Sequence, residues 1–248
     1  MAMYEQLTKA VADHKNIVFF GGAGVSTESG IPDFRSADGL YAAEFGGCAP
    51  EEILSAAFFR RNPELFYKFY KEKMLFPDAK PGKAHDALAE LERVGKLSCV
   101  ITQNIDGLHQ AAGSRTVLEL HGTVRRNRCT GCGKSYDLNH ILQSSGVPRC
   151  TACGAVVKPC VTLYGETLPE GVFEAAARYV RRADFLIIGG TSLTVYPAAG
   201  LASYFRGDCI AVLNRAATAA DRAAAIVIRD PVGEVLDTAV KSWKAIFG

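Results

Sequence analysis

The sequence lacks long hydrophobic runs and any marked excess of charge of one sign. Among its 248 residues no window approaches the ~20 uninterrupted apolar residues that a membrane-spanning helix needs, and the first residues contain no secretory hydrophobic segment. Lys and Arg total 28 against 26 Asp and Glu, a formal net charge of +2, which argues against a protein built mainly to bind nucleic acid. We therefore expect a cytoplasmic protein with no membrane partner.

Internal repeats, low-complexity tracts and blocks of like charge are also missing from the sequence. With 48% hydrophobic and 22% charged residues, the composition is that of a globular protein and excludes a disordered or fibrous chain. The length fits one large domain, or one domain with a smaller insertion. The sequence leaves the oligomeric state open.

Cysteines, by contrast, are numerous, and disulfides are not expected in a reducing cytoplasm. Four of the eight form two Cys-x-x-Cys pairs that are separated by seventeen residues: Cys129, Cys132, Cys150 and Cys153. Two such turns supply four thiolates for tetrahedral zinc, at the spacing of ~15–20 residues that is typical of a zinc ribbon. Since four thiolates leave no open position, we predict one structural Zn²⁺, with His140 between the pairs not a ligand.

Short apolar runs alternate along the chain with stretches of helical periodicity. The runs are typical of strands buried on both faces and cover residues 17–20, 97–101, 117–120, 185–188, 209–213 and 225–228. Helical periodicity covers residues 85–94, 173–182 and 195–205. Strands that alternate with helices predict an α/β fold with a Rossmann-like parallel sheet and right-handed crossovers.

Two stretches interrupt this alternation. Residues 36–84 are helical in pattern and rich in aromatics, and residues 123–165 contain the cysteine module. Each follows a strand-end loop, so we expect them to form together a smaller domain, a helical module plus a four-cysteine zinc module. The Rossmann-like domain then comprises residues 1–35, 85–122 and 166–248.

A glycine-rich segment, residues 21–30, follows the first predicted strand directly. A turn of this kind between a strand and a helix lets the backbone approach a phosphate, whose charge then meets the helix amino terminus. The dehydrogenase fingerprint GxGxxG is not met, because Thr27 stands where the third glycine after Gly22 and Gly24 belongs. Taken alone, the segment fits a plain structural turn nearly as well.

Further motifs continue from this turn along the chain. They are GAGVS (22–26), GIPDFR (30–35), GLY (39–41), TQNIDGLH (102–109), ELHG (119–122), the paired cysteines, GE (165–166), LP (168–169), GTSL (190–193) and LN (213–214). In this order they resemble the sirtuins, a family of NAD-dependent protein-lysine deacylases. The resemblance covers essentially the whole chain from about residue 10.

Among the residues of these motifs, His121 is the candidate catalytic residue. It follows an apolar strand, so it is expected at the carboxyl edge of the sheet, where ligands bind in open parallel folds. A neutral imidazole is a suitable base near pH 7, although a single histidine is more often a core residue. The resemblance implies that His121 is the general base that activates a ribose hydroxyl.

The resemblance further implies that NAD is a co-substrate. The cofactor-binding residues that it implies are Ala23, Gly24, Asp33, Phe34, Arg35, Gln103, Asn104, Ile105, Asp106, Gly190, Thr191, Ser192, Asn214 and Asp230. In the family the first two touch the pyrophosphate, Phe34 shields the anomeric carbon, and Asn104 to Asp106 hold the nicotinamide half. The alternative for Asp33 and Arg35 is a solvated ion pair.

By the same resemblance, the acyl oxygen of an acetylated lysine attacks the anomeric carbon, and nicotinamide leaves. The products are free lysine, nicotinamide and O-acetyl-ADP-ribose. The protein or peptide substrate is expected to enter extended between two loops and to pair by its backbone. The residues implied for this contact are Val161, Tyr164, Gly165, Glu166 and Val195.

The chain departs from the family in places that bear on the acyl group. The usual aliphatic-aliphatic-aromatic-Phe run before Gly-Glu reads Val-Thr-Leu-Tyr at 161–164, and Thr194 also replaces an aliphatic residue. Tyr70 and Lys73 align with the Tyr-x-x-Arg of the subclass that removes succinyl and malonyl groups. Three residues apart on a helix, they are expected to share a face and so to be able to reach one pocket. Because lysine lacks the planar fork that binds a carboxylate in bidentate fashion, we expect acetyl-lysine to be the main substrate.

Other classes fit parts of the sequence. A zinc ribbon that binds nucleic acid accounts for the cysteines and the arginines near them, but not for the α/β sheet. A nicotinamide dehydrogenase uses a similar sheet. ADP-ribosyl transfer to protein shares the first half of the reaction and, with removal of other acyl groups, is the nearest alternative.

Overall fold

The computed structural model describes residues 2–36 and 38–247. The α-helices are α1 (Ala2–Asp13), α2 (Pro50–Ile53), α3 (Ala56–Arg61), α4 (Pro63–Phe69), α5 (Lys83–Arg93), α6 (Leu108–Ala111), α7 (Leu138–Gln143), α8 (Val172–Arg182) and α9 (Val232–Phe247). The strands are β1 (Ile17–Gly21), β2 (Leu97–Thr102), β3 (Val117–Glu119), β4 (Gly122–Cys129), β5 (Ser135–Asp137), β6 (Val157–Val161), β7 (Phe185–Gly189), β8 (Cys209–Leu213) and β9 (Ile226–Ile228). Within the described ranges, no helix combines the length and the apolar character needed to cross a membrane.

A parallel sheet forms the larger part of the molecule, with the strand order β3-β2-β1-β7-β8-β9. Alternate residues of β1 point to opposite faces. Phe19 joins a hydrophobic cluster with residues of α1, α5 and α9, whereas Phe20 joins a second cluster with residues of α8. Every residue of β1 and β7 is buried, because helices cover both faces. The predicted α/β class and its parallel sheet are thereby confirmed.

The elements around the sheet differ from the sequence-based prediction in extent. The helix predicted over residues 195–205 is a shorter 3-10 helix, Ala198–Tyr204. Helices α1 and α9 were not predicted, yet α9 buries Val232, Val235, Leu236, Ala239, Val240 and Trp243. That spacing of three and four residues is the pattern of an amphipathic helix. The signal for α9 was therefore present in the sequence.

The glycine-rich turn after β1 does not lead into an α-helix. It forms two 3-10 turns, Ala23–Val25 and Thr27–Ser29. The reason is a close approach to the loop after β7: the Gly24 N–H donates to the Gly190 carbonyl at 2.9 Å. A Cβ on Gly24 would lie 2.8 Å from the Cα of Gly190, so only glycine allows the two backbones to cross here.

A smaller group of elements has its own hydrophobic cluster. Helices α2 to α4 continue into a π-helical turn, Tyr70–Met74, while β5, β4 and β6 form an antiparallel sheet in that order. The cluster draws on both segments, with Phe58, Phe66 and Tyr70 packed with Ile141 and Val157. Helices α2 to α4 and strands β4 to β6 thus contribute to one core, although α5 and β2 separate them in the chain.

Candidate functional site

A cleft of about 930 Å³ lies at the carboxyl edge of the parallel sheet. Its walls come from the loops after β1, β2, β3, β7, β8 and β9, together with the segments 31–36, 38–41 and 161–166. All the non-cysteine residues implied by the sequence line this one cleft: Ala23, Gly24, Asp33, Phe34, Arg35, Gln103, Asn104, Ile105, Asp106, His121, Val161, Tyr164, Gly165, Glu166, Gly190, Thr191, Ser192, Val195, Asn214 and Asp230. The structure therefore brings them together.

The histidine in the cleft has a defined protonation pattern. His121 Nδ1 lies 3.0 Å from the Gln103 carbonyl oxygen. A carbonyl only accepts, so Nδ1 carries the hydrogen of the neutral ring and Nε2 keeps its lone pair. Burial lowers the pKa of His121, and the hydrogen bond to the Gln103 carbonyl partly opposes that shift. The imidazole is therefore neutral at pH 7, with its basic atom at Nε2.

A glycine is required directly after this histidine. Gly122 has a φ of +75°, and a Cβ there would lie 2.0 Å from the Cys160 carbonyl oxygen. The contact arises because β4 begins at Gly122 and pairs with β6 through Val161. His121 is thus held where the parallel sheet ends and the antiparallel sheet begins.

Behind the cleft, a hydrogen-bond network fixes two polar side chains of the β2 loop. The Ser26 hydroxyl donates to Asp106 Oδ2 at 2.8 Å and accepts from Asn104 Nδ2 at 3.0 Å. Asp106 Oδ1 accepts from the Leu108 N–H at 2.9 Å. Asn104 and Asp106 therefore enter the cleft with one orientation each. Sequence reasoning quoted Ser26 within its motif but gave it no role.

A second buried histidine supports this network. His85 Nδ1 accepts from the Gly82 N–H at 3.1 Å, so its hydrogen is on Nε2, which lies 3.4 Å from the Ser26 hydroxyl. Burial lowers the pKa of His85, against the opposing effect of the Asp106 charge. Sequence reasoning missed His85 as a support of the site, because the first turn of α5 carries no motif in a single sequence.

Two features of the cleft fit a nucleotide. Gln103 Nε2 is buried and has no hydrogen-bond partner among the described residues, although Gln103 Oε1 accepts from the Thr191 hydroxyl at 3.0 Å. A buried amide donor in a ligand-sized cleft is satisfied when a polar ligand binds. Beside it, Gly24 and Gly190 line the cleft at the glycine-rich turn, where backbone can approach a phosphate. These residues fit NAD.

The segment after the glycine-rich turn forms a compact loop. Asp33 Oδ1 accepts from the N–H groups of Arg35 and Ser36 at 3.1 and 2.8 Å, so this carboxylate closes a turn. Both of these bonds to the Asp33 carboxylate thus come from backbone N–H groups. The Phe34 ring packs edge-on against Tyr41, with centroids 5.3 Å apart. Phe34 is thus part of an aromatic pair at the mouth of the cleft.

The other end of the cleft holds the residues implied for adenosine. Asn214 Nδ2 donates to the Ala216 carbonyl at 2.8 Å, and Asp230 Oδ2 accepts from the Tyr4 hydroxyl at 3.0 Å. Tyr4 belongs to α1, so the first helix fixes the carboxylate of Asp230. No motif marked Tyr4 in the sequence.

The segment implied for peptide contact is anchored on both sides. The Tyr164 N–H donates to the Leu54 carbonyl at 2.9 Å. Glu166 Oε2 accepts from the Leu163 N–H at 2.9 Å and from Lys158 Nζ at 3.0 Å. Between these anchors Gly165 has a φ of +85°. The segment is therefore a fixed bend in the cleft wall.

The unusual threonines take different positions. Thr162 lines the cleft, and its N–H donates to the His121 carbonyl at 2.9 Å. Thr194 is exposed, and its hydroxyl lies 2.8 Å from that of Ser192. Of these two threonines, only Thr162 belongs to the described lining of the cleft.

Tyr70 and Lys73, predicted to share a face, point to different environments. Tyr70 is fully buried and lines the cleft, and its hydroxyl has no partner among the described residues. Lys73 is exposed and lies outside the described lining of the cleft. The difference arises because Tyr70–Met74 is a π-helical turn, in which residues three apart no longer lie over one another.

The four paired cysteines converge in the antiparallel part of the molecule. All four sulfurs lie within 4.8 Å of one another. Cys129 and Cys153 are 3.4 Å apart, and Cys132 and Cys150 are 3.6 Å apart, between sulfurs. Four sulfurs at ~2.3 Å from a tetrahedral metal are about 3.8 Å from each other. The geometry therefore fits one Zn²⁺.

The turns around these cysteines favour thiolates. Cys129 Sγ accepts from the N–H groups of Gly131 and Cys132 at 3.3 and 3.4 Å, and Cys150 Sγ accepts from the Tyr136 hydroxyl at 3.1 Å. His140 bonds instead to the Arg149 carbonyl at 3.0 Å, as expected for a residue that is not a ligand. The site is closed, which is the pattern of a structural zinc centre.

Comparison with known proteins decides the family. A family model described as the Sir2 family matches residues 22–197. The chain belongs to the Sir2 family. Its relatives include an NAD-dependent protein deacetylase of Clostridium perfringens, 54% identical over 93% of this chain and 96% of the relative.

Solved Sir2 structures have the same fold. A Sir2 homologue in complex with NAD is 42% identical, with a TM-score of 0.88 over 98% of this chain and 95% of the homologue. A Sir2 point mutant with a deacetylated p53 peptide and 3′-O-acetyl-ADP-ribose is 37% identical, with a TM-score of 0.88 over 96% and 97%. Membership of the Sir2 family accounts for the sheet and the cysteine module together. Neither a nucleic-acid-binding ribbon nor a dehydrogenase does so.

Proposed function

We propose that this Sir2 chain is an NAD-dependent protein-lysine deacetylase. It removes acetyl groups from lysine side chains of proteins or peptides and yields nicotinamide, O-acetyl-ADP-ribose and free lysine. The observation that carries the proposal is the neutral His121, whose Nε2 is its basic atom, in a cleft lined by a glycine-rich turn and by a buried Gln103 amide with no partner among the described residues. The names of its relatives agree with this activity.

In this reaction NAD supplies an electrophilic anomeric carbon and the ribose that takes up the acetyl group. His121 accepts a proton at Nε2 from a ribose hydroxyl, a transfer for which its lowered pKa is suited. Phe34 and Tyr41 form an apolar wall that excludes water from the reacting carbon. Asn104 and Asp106, fixed by Ser26, orient the nicotinamide half.

The remaining cleft residues bind the rest of NAD in our proposal. Ala23 and Gly24 contact the pyrophosphate with their backbone, Arg35 faces the phosphate and ribose, and Gln103 donates its free amide hydrogen to the ribose. The adenosine half lies against the residues after β7, β8 and β9, namely Gly190, Thr191, Ser192, Asn214 and Asp230. Asp33 and Ile105 complete the contacts through the loop turn and the backbone.

The acetylated peptide binds in extended form between segments 161–166 and 192–195. Val161, Tyr164, Gly165, Glu166 and Val195 contact it on this proposal. The fixed bend at Gly165 supports the assignment, because a strand that adds by its backbone needs a rigid edge to pair with.

The proposal includes a division into two domains at the boundaries given above and a cytoplasmic location. The division is supported by the hydrophobic cluster that residues 36–84 and 123–165 share, separate from the clusters on the parallel sheet. A reducing compartment is supported by the cysteines, all eight of which are unbridged.

Mass spectrometry of the products tests the function. The protein is incubated with NAD and an acetyl-lysine peptide, and the expected products are the free peptide, nicotinamide and O-acetyl-ADP-ribose in equal amounts. An ADP-ribosylated peptide or protein with the acetyl group retained would instead establish ADP-ribosyl transfer as the activity.

A further inference from the structure

A pair of tyrosine hydroxyl groups joins the two walls of the cleft. The hydroxyls of Tyr41 and Tyr164 lie 2.8 Å apart, although the residues are 123 positions apart in the chain. Tyr41 ends the loop that carries Phe34, and Tyr164 immediately precedes the bend at Gly165. The pair thus spans the NAD side and the peptide side of the proposed active site.

Tyr41 is coupled tightly to Phe34. The Tyr41 N–H donates to the Phe34 carbonyl at 3.0 Å, and the Leu40 N–H donates to the Asp33 carbonyl at 2.8 Å. The guanidinium carbon of Arg35 lies 5.7 Å from the centre of the Tyr41 ring. Any displacement of Tyr41 therefore moves Phe34 and Arg35 as well.

Tyr164 is fixed from the opposite side. Its N–H donates to the Leu54 carbonyl, and its carbonyl accepts from the Ala56 N–H, both at 2.9 Å. These bonds form a parallel bridge with Ser55. The ring itself is 41% exposed, so packing alone does not hold it, and the bond to Tyr41 sets its orientation.

We propose that the tyrosine pair, Tyr41 and Tyr164, is a positioning device. It holds the loop that carries Phe34 at a fixed position relative to the proposed peptide-binding segment, residues 161–166. A peptide bound along 161–166 then stabilises the loop that covers NAD. A phenylalanine at position 164 would keep the ring without the hydroxyl, so the device depends on the tyrosine at this position. The inference rests on the proposed function for the identity of the two ligands.

The variants Tyr164→Phe and Tyr41→Phe each remove one oxygen atom and keep the ring. With an acetyl-lysine peptide, we expect the KM for NAD to rise about two- to tenfold in either variant, the effect of one neutral hydrogen bond. The KM for the peptide is expected to rise as well, because coupling between two bound ligands is reciprocal. The double variant should show no more than either single one, because both remove the same bond.

A second readout reports the position of Phe34. When water reaches the anomeric carbon, NAD and water give nicotinamide and ADP-ribose, with one proton released. We expect the share of ADP-ribose relative to O-acetyl-ADP-ribose to rise in both variants. The matched control is Tyr204→Phe, in which the changed ring packs on Phe173, and it should leave both readouts at the wild-type values.

Two kinetic outcomes would overturn the proposal: a rise in peptide KM with the NAD KM unchanged, which would confine the effect of the Tyr164 hydroxyl to the peptide contact proposed above, or additive losses in the double variant. Calorimetric NAD binding and hydrogen exchange of the Leu40 and Tyr41 amides need no turnover. Weaker NAD binding and faster exchange of these two amides in Tyr164→Phe support the positioning role of the tyrosine pair, even if the wild type deacetylates nothing. Unchanged binding and exchange refute it even if deacetylation proceeds.

Discussion

The tautomer of a single histidine carries the chemistry of the site. Because His121 donates from Nδ1 to the Gln103 carbonyl, only Nε2 is free to take a proton. The same contact keeps the ring in place without a carboxylate partner, and so the base remains neutral rather than being drawn into an ion pair.

Replacing His121 by alanine should lower deacetylation by ~10²–10⁴-fold while the fold remains intact, because a general base is lost at a strand end. Nicotinamide release with an acetyl-lysine peptide measures the rate, and circular dichroism measures the fold. His14→Ala, a change at the end of α1 where the ring bonds to Asp208, is the control and should keep the wild-type rate. Wild-type turnover by His121→Ala would contradict the assigned base.

The acyl preference also depends on single residues. Since Tyr70 is buried in the cleft wall and Lys73 is exposed outside it, Lys73 is not placed to neutralise a carboxylate on the acyl group. We expect acetyl-lysine to be processed faster than succinyl-lysine on the same peptide.

Lys73→Arg provides the matched test of this reasoning. An exposed arginine at that position should leave desuccinylation as weak as in the wild type, although it completes the Tyr-x-x-Arg pattern. Faster desuccinylation than deacetylation by the wild type, or a gain in Lys73→Arg, would show that the side chain at 73 reaches the acyl group.

At the scale of elements, metal binding adds to the shared hydrophobic cluster in stabilising the zinc module. Strands β5 and β6 have only three and five residues, and two of the four ligands, Cys132 and Cys153, are exposed. Zinc binding to such a site contributes directly to the free energy of folding.

Cys132→Ser should therefore lose zinc and lower the melting temperature. The measurements are metal analysis of the purified protein and thermal unfolding. Cys160→Ser changes another exposed cysteine, on the neighbouring strand β6, and should retain full zinc. Full zinc occupancy with normal melting in Cys132→Ser would contradict the four-cysteine site.

The sequence predicts an element well when the residues that determine its structure lie within that element, and poorly when distant residues determine it. The apolar runs of β1, β2 and β7 and the Cys-x-x-Cys turns are local, and the structure has them within a residue or two. The sequence leaves the path after Gly22 open between a helix start and a plain turn, since this path is set by contact with Gly190 from a distant loop. His85 likewise supports the site through tertiary contacts that a single sequence does not reveal.

At the scale of the whole molecule, burial of histidines couples stability to pH. Burial lowers the pKa of His85, His121 and, to about 3, of His109. Below pH 6.5 the unfolded chain binds protons that the folded chain does not, so the free energy of unfolding falls as the pH falls. His14, whose pKa is raised by its bonds to Ala10 and Asp208 despite the opposing effect of burial, acts in the other direction.

His109→Phe isolates this effect, because it keeps a ring beside His85 and Phe19 but cannot titrate. Between pH 6.5 and 5, we expect the wild-type free energy of unfolding to fall more steeply than that of the variant, by a difference that approaches about 1.4 kcal/mol per pH unit at the lower pH. Denaturant unfolding at several pH values measures both slopes. Loss of zinc at low pH affects both proteins alike, so it does not contribute to the difference between them. Equal slopes of unfolding free energy against pH would contradict the prediction.

The strand order has a consequence for how the chain reaches this structure. Strand β1 is made first, yet it lies in the middle of the sheet and needs β7 as a partner, with Ile17 beside Phe185. Pairing between such distant segments slows folding, because closing the long loop costs chain entropy before any contact between the strands can stabilise it. During synthesis on the ribosome, the edge of β1 that pairs with β7 therefore stays unpaired until most of the chain has emerged. In this interval the nascent protein depends most on protection from aggregation.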